Sequence, residues 1–367
     1  MTVCTTSFGF NGITNVIMNY FNAFEDSNLA IDFIVINDVD ETIKAKIADK
    51  SKTFANKSVI YKISGRNKNP IGYIKTLTGI LKKGNYDIIH IHGNSATMLT
   101  ELIAAKKAGV GVRIVHSHNT TCSHKIIHKL AKGSFHKSYT HGFACGEMAG
   151  KWLFENREFR VINNGVDANR FTYKADLAKK SKKEFGLEGK KVVGHIGHFS
   201  YQKNHEFVLR MFKKLYDKDN SYELVLLGDG KLRTEMEELA SQLNIQSAVR
   251  FVGRTHKVVE YMHAFDLLIL PSRFEGLPLT IIEAVSNAMP CIISDKVSKE
   301  AIMEGFVKSL SLDSIDAWVD EIIATDIQHR EENSQKAIAL VKEKGYDINV
   351  NAKELLELYQ QFVKDIG

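Results

Sequence analysis

Short apolar, β-branched runs separated by longer amphipathic stretches recur along the whole chain, and this alternation restricts the fold more than any single motif. In the first half the runs are Ala30–Ile36, Ser58–Ile63, Asp87–His92, Arg113–His116 and His141–Cys145. In the second half they are Lys191–Ile196, Glu223–Leu227, Val249–Val252, Leu267–Leu270 and Cys291–Ser294. Many are apolar at consecutive positions rather than at every other one. Such strands are buried on both faces, which parallel sheets achieve with helices above and below. Stretches such as Glu206–Tyr216 and Lys231–Leu243 repeat apolar residues at helical spacing and supply that cover. Two such series within 367 residues predict an α/β protein of two doubly wound domains. The Asn-Asn-Gly turn signal in Val161-Ile162-Asn163-Asn164-Gly165-Val166-Asp167 places the junction, giving domains 1–165 and 166–345. The lysine-rich stretch Lys174–Lys191 reads as solvated. A last helix, about Asn349–Val363, lies in the closing segment 346–367 and can continue the second domain or cross back to the first.

Composition narrows the class. The apolar share of 44% and charged share of 25% are those of an ordinary globular protein. No apolar run approaches the roughly 20 residues that span a bilayer. No basic n-region leads into a long apolar core, so no secretory leader is expected. Cys4, Cys122, Cys145 and Cys291 are widely spaced, which predicts reduced thiols in the cytoplasm. Residues 1–165 hold 21 lysines and arginines against 12 acidic residues, whereas the remainder is slightly acidic. A basic first half suits nucleic acid, anionic lipid or an anionic substrate.

Open parallel sheets bind ligands beyond the carboxyl ends of their strands, so two facing domains would form a site in the cleft between them. The most specific motif lies at such a strand end: Ser272-Arg273-Phe274-Glu275-Gly276-Leu277-Pro278-Leu279-Thr280-Ile281-Ile282-Glu283-Ala284. One carboxylate on a loop and a second in the next helix suit a ligand rich in hydroxyls. Pro278 fits a first helical turn, and free N–H groups there can face an anion. Gly197-His198-Phe199-Ser200-Tyr201-Gln202-Lys203-Asn204 sets a lysine before another helix, either as a phosphate site or as a plain surface loop. Gly228-Asp229-Gly230 is a tight turn or a ligand contact and lacks the third glycine of a dinucleotide fingerprint. Val252-Gly253-Arg254 ends a strand where a base or ribose can rest. Near the N-terminus, Ser7–Asn15 offers Gly9 and Gly12 for close backbone approach, with Thr14 or Asn15 as a cap for the helix Val16–Phe21.

Histidines cluster at two strand ends, in His90-Ile91-His92 and His116-Ser117-His118-Asn119. A His-x-His pair can ligate a metal, but no carboxylate or cysteine stands at ligand spacing, so the expectation is structural histidines and no metal. His118 is the one best placed to reach a cleft. In Ser123–Tyr139, Ile126, Ile127, Leu130 and Phe135 alternate with lysines and histidines. Two arrangements suit that segment: contact with an anionic membrane face, or a helix packed on the sheet with a basic outer side. No zinc-finger spacing or helix-turn-helix signal favours nucleic acid. Neither Gly-x-Ser-x-Gly nor a phosphate-binding Walker loop is present.

Taken together, the ordered signals at Gly9–Gly12, Asn163–Asp167, Gly197–Lys203, Gly228–Gly230, Val252-Gly253 and Glu275-x(7)-Glu283 resemble the retaining glycosyltransferases of family four, which have the GT-B fold of two Rossmann-like domains. The resemblance runs to about Asp295. It implies a nucleotide-sugar donor, expected as a UDP-sugar, held mainly by the second domain. It implies a glycan or lipid-linked saccharide acceptor held mainly by the first, and a role in cell-surface polysaccharide biosynthesis. Glu275 would contact sugar hydroxyls, with Phe274, Gly276 and Leu277 near sugar and phosphate. Glu283 would grip the ribose. Lys203 would neutralise the diphosphate beside Gly197 and His198, with Gly228 and Arg254 completing the donor site. The Gly9–Gly12 loop would approach the phosphates across the cleft, and His118 would sit near the transferred sugar. The last helix would return to the first domain. No cofactor or metal is implied. One departure stands out: the family commonly has arginine at the position of His198, and histidine is neither permanently charged nor forked. The clamp then leans on Lys203 and backbone N–H groups, with Arg273 as a substitute. Alternatives on the same fold are a nucleotide-sugar epimerase or hydrolase, and a non-catalytic binding partner of another transferase.

Overall fold

The computed structural model describes residues 2–4, as backbone, together with 8–9, 11–26 and 28–366. Ser7 and Phe10 of the N-terminal glycine loop lie outside the described residues. The chain divides into two compact units, Met1–Gly165 with Ile348–Gly367, and Val166–Asp347.

The first unit contains a seven-stranded parallel sheet: β1 (Thr2–Cys4), β2 (Phe33–Val35), β3 (Ile60–Lys62), β4 (Ile88–Gly93), β5 (Val112–Ser117), β6 (His141–Ala144) and β7 (Arg160–Val161), in the order β3-β2-β1-β4-β5-β6-β7. Alternate side chains of the central strands point to opposite faces. Ile89, Ile91 and Val115 face a core shared with Leu77, Leu102, Phe135 and Leu153. His90, His92 and His116 face the other way, toward Ile17, Tyr20 and Phe21 of the helix Gly12–Ala23 and Leu355 and Tyr359 of the terminal helix. That last helix, Ile348–Lys364, belongs to the first unit. Its Tyr359 ring meets Phe24, and its Phe362 ring stacks on His141 at 3.6 Å.

The second unit holds β8 (Lys191–Ile196), β9 (Tyr222–Leu227), β10 (Val249–Gly253), β11 (Leu267–Leu270), β12 (Cys291–Ser294) and β13 (Val307–Leu310), all parallel, in the order β10-β9-β8-β11-β12-β13. Both faces of this sheet are dry. Val193, Leu224, Leu226, Ile269 and Ile292 join one core, while Val192, Val225, Leu227, Leu268, Leu270 and Ile293 join the other. This two-sided burial is why the strands are apolar at consecutive positions.

Several details differ from the sequence expectation. β1, β7 and β13 carry no continuous apolar run; β13 is a half-exposed edge strand reading Val-Lys-Ser-Leu. The first helix starts at Gly12, and its cap is Asn11, whose Oδ1 accepts from the Thr14 N–H at 3.0 Å. Thr14 instead turns its hydroxyl back to accept from the Gly9 N–H at 3.2 Å. Lys174–Lys191 is not simply solvated: Ala175–Glu184 is a helix with Ala178 and Ser181 buried, and Lys182 lies 2.7 Å from Asp266. Pro278 stands at the cap position, one residue before the helix Leu279–Ser286.

Candidate active site

In the second unit the strand order reverses direction between β8 and β11. Loops leaving those neighbours run to opposite faces of the sheet, which opens a gap at their carboxyl ends. The loop after β8 carries Gly197–Asn204, and the loop after β11 carries Pro271–Pro278. Both motifs from the sequence therefore flank the same switch point.

The loops are fastened to each other by polar contacts. The Gln202 amide donates to the Phe274 carbonyl at 3.0 Å, the Arg273 N–H donates to the Gln202 carbonyl at 2.8 Å, and the Asn204 amide donates to the Pro271 carbonyl at 3.0 Å. Asn204 sits in the left-handed region at φ 58°, which asparagine tolerates better than most residues, and turns the chain into the helix His205–Lys218. This clamp brings Lys203 Nζ to 2.6 Å from Glu275 Oε1, with the two side chains 17% and 12% exposed. The buried Ser272 hydroxyl donates to the same oxygen at 3.2 Å. Among the described residues nothing donates to Glu275 Oε2. From the far side, the Glu275 N–H donates to the Lys296 carbonyl at 3.3 Å, and the Glu275 carbonyl accepts from the Ser298 N–H at 3.1 Å. One loop residue is thus held by segments following three strands.

The glycines make room for this convergence. Gly228 has φ +133°, and a Cβ there would drive into the Gly197 carbonyl oxygen. Its N–H donates to the Gly253 carbonyl at 2.9 Å, and the Phe199 N–H donates to the Asp229 carbonyl at 3.1 Å. A Cβ on Gly197 would meet the Lys203 stem at 3.0 Å. Gly276 has open space around it, and His198, Phe274 and Arg254 are exposed. Beneath Lys203, burial pushes His195 down to about 4, so its ring is neutral and leaves Glu275 as the partner of the ammonium. Arg273 does not extend freely: its guanidinium lies over the Tyr201 ring, 4.2 Å from the centroid.

Glu283 is in the helix Leu279–Ser286 and makes no hydrogen bond or ion pair with Lys203 or Glu275. Burial raises its carboxyl to about 7, a rise that the Arg170 charge partly opposes.

In the first unit His118 follows β5, and its N–H donates to the Gly93 carbonyl at 3.1 Å. Four imidazoles form a layer across β4 and β5. His90 and His116 pair through Nε2 and Nδ1 at 3.2 Å, and His92 and His118 pair through Nδ1 and Nε2 at 2.9 Å. Tyr359 closes one end, its hydroxyl 2.6 Å from His90 Nδ1. Burial holds His90 and His118 down to about 3 and His92 and His116 well below the ordinary range. Ring nitrogens of His90, His92 and His116 lie within 4.8 Å of one another; among the described residues no carboxylate joins them, His90 and His92 also bond Tyr359 and His118, and His116 Nε2 has no partner. A Cβ on Gly9 or Gly12 would meet nothing within 4 Å, so packing does not demand either glycine.

Sequence reasoning did not assign roles to Ser272, Gln202, Asn204 or the Lys296–Ser298 backbone. Only Asn204, of a residue type common directly before a helix, left a readable signal, although its side chain bonds Pro271 rather than capping the helix.

Comparison with known proteins bears on the whole chain. Residues 178–338 match the family model described as glycosyl transferases group 1, and residues 10–170 match glycosyltransferase family 4. A Bacillus subtilis (strain 168) protein named as the glycosyltransferase EpsF is 30% identical over 365 residues, covering 95% of this chain and 93% of that protein. The Escherichia coli UDP-Gal:alpha-D-GlcNAc-diphosphoundecaprenol alpha-1,3-galactosyltransferase is 28% identical over 268 residues, 68% of each chain. Among solved structures, Anabaena HepE in complex with UDP-glucose superposes with a TM-score of 0.78 at 16% identity, covering 98% of this chain and 99% of that one. With its two doubly wound units, this chain belongs to the family 4 glycosyltransferases of the GT-B fold.

Proposed function

We propose that this chain transfers a hexose from a uridine diphosphate sugar to a hydroxyl of a glycan or lipid-linked saccharide, with retention at the anomeric carbon. The observation that carries the reading is the Lys203–Glu275 pair at the switch point of the second unit. An ammonium has three N–H donors. One of Lys203's points to Glu275 Oε1, which leaves two for a diphosphate. Glu275 Oε2 is left to accept from sugar hydroxyls. Breaking the anomeric bond loads negative charge on the departing diphosphate, and a fixed ammonium stabilises that charge as it grows. A carboxylate already bound by Lys203 and Ser272 is a weak nucleophile, which favours attack on the sugar's own face, assisted by the leaving phosphate, over a covalent glycosyl-enzyme. Glu283 is assigned to the ribose; Gly197, His198, Gly228, Arg254 and the Phe274–Leu277 backbone complete the donor site. His118, Gly9 and Gly12 are assigned to the transferred sugar and phosphates. No resident metal is required in this scheme.

Two comparisons support the donor and acceptor classes: HepE is described in complex with UDP-glucose, and the Escherichia coli relative is named for UDP-Gal and a diphosphoundecaprenol-linked acceptor. By the same analogy the enzyme works in cell-surface polysaccharide biosynthesis, in the cytoplasm. The test is a thermal-shift panel of UDP, GDP, ADP and their sugar conjugates, with and without chelator. Ligand at about 100 times its dissociation constant adds about 2.7 kcal/mol of stability. UDP and one UDP-sugar are expected to stabilise equally in both conditions. A response to another base, or dependence on added divalent ion, overturns that part of the reading. Product analysis without acceptor separates transfer from hydrolysis or epimerisation.

A further inference from the structure

The helix Lys125–His136 is packed the wrong way round for an ordinary surface helix. Its aliphatic side chains point to solvent: Ile126 is 77% exposed, Leu130 80% and Ile127 55%. Its contacts with the rest of the unit run through other residues. His128 is buried, stacks on Trp152 with ring centroids 5.2 Å apart, and accepts from the Ala96 N–H at 3.0 Å. Phe135 fills the core of the sheet. At 3.6 residues per turn the three aliphatic residues cover about 100° of the outer surface. Lys125 and Lys129 stand exposed on one flank of that stripe. Met148, one turn before Trp152 on the next helix, is 65% exposed. No aspartate or glutamate occurs between Glu101 and Glu147, a span that holds Lys106, Lys107, Arg113, Lys125, Lys129, Lys132 and Lys137.

We infer that this helix lies on an anionic lipid bilayer, with Ile126, Ile127 and Leu130 among the acyl chains and Lys125 and Lys129 at the headgroups. Three neighbouring aliphatic residues need an apolar phase, and the lysine flank needs negative charge; a bilayer with anionic headgroups supplies both. A second copy of the chain would bring lysine against lysine. Nucleic acid offers phosphate but no apolar phase. The helix has 12 residues, about 18 Å long, so it can lie in the interface but not cross it. No described helix is long and apolar enough to cross a membrane. This inference stands independently of the donor and acceptor proposed above.

Sedimentation of the full chain with vesicles tests it. The protein should pellet with phosphatidylcholine mixed with phosphatidylglycerol, stay in solution with phosphatidylcholine alone, and be released by high salt. Replacing Ile126 and Leu130 together by serine should weaken binding at least tenfold, and Lys125→Ala or Lys129→Ala about fivefold each. Unchanged melting and an unchanged UDP response in the variants establish that the fold is intact. Absence of sedimentation with either vesicle overturns the inference, as does equal binding by the serine variant. A dimer in light scattering that the serine variant dissolves would assign the patch to a second copy instead.

Discussion

Lys203 and Glu275 touch, yet substitution should separate their roles. Lys203→Ala removes the charge facing the diphosphate, and UDP affinity should fall by about 1.5–3 kcal/mol, the range of a charge-assisted hydrogen bond, measured by calorimetry. Glu275→Gln keeps the side chain's size while removing the carboxylate; transfer should be lost while UDP binding stays within about twofold of the parent, since one twofold change is only about 0.4 kcal/mol. Equal loss of both properties would contradict the assignment of Glu275 to the sugar. Glu283 gives a pH signature. Its folded-state carboxyl is raised to about 7, so its neutral form favours folding, and that contribution is complete below the unfolded value and lost as pH rises through about 7. Stability should decline across that window by on the order of 3 kcal/mol, and Glu283→Gln should flatten the curve in urea titrations at successive pH values. The meeting of Glu275 with Lys203 was legible because both sit on loops at the ends of recognisable strands, whereas Glu283 lies in the following helix and touches neither. Ser272 and Gln202 were not legible, because polar loop residues follow no period, and the partner of Gln202, Phe274, lies far along the chain. Nor does anything local announce that Tyr201 lies beneath the Arg273 guanidinium.

The strand-end loops are the elements on which the site depends. Their glycines pack backbone against backbone, and Gly228 is the tightest case, with a left-handed φ and no room for a Cβ beside the Gly197 carbonyl. Gly228→Ala should therefore combine backbone strain of about 1–3 kcal/mol with displacement of the Gly197–Lys203 loop, lowering both the melting temperature and UDP affinity. A variant with normal melting and normal binding would show that the loops tolerate the shift. Sequence patterning located the interior strands of the second sheet almost residue by residue, since burial on both faces writes itself as consecutive apolar residues. It did not reveal β13, which lies at an edge and leaves Lys308 and Ser309 partly or fully exposed. Nor did it reveal the inner face of Ala175–Glu184, where the buried residues are a small alanine and a serine. For the basic helix Lys125–His136 the apolar residues were readable while two arrangements stayed open, and the exposure of Ile126, Ile127 and Leu130 sets aside the one with a purely basic outer side.

At the scale of the molecule, the chain leaves its first unit after Gly165 and re-enters it at Ile348. The re-entering helix is structural to that unit, with Leu355 and Leu358 buried and Tyr359 bonded to His90. Removing residues 348–367 strips several large side chains from one core, each worth about 2–5 kcal/mol. The shortened protein should lose cooperative unfolding of the first unit while the second retains its own transition and its response to UDP, as followed by circular dichroism and limited proteolysis. Survival of both transitions would contradict the structural role of the helix. Translation proceeds from the other end. The first unit is begun before the second and completed after it, and its imidazole layer stays uncovered until Leu355 and Tyr359 are made. A chain interrupted before Tyr359 would leave His90 without that hydroxyl and this side of the sheet open to solvent.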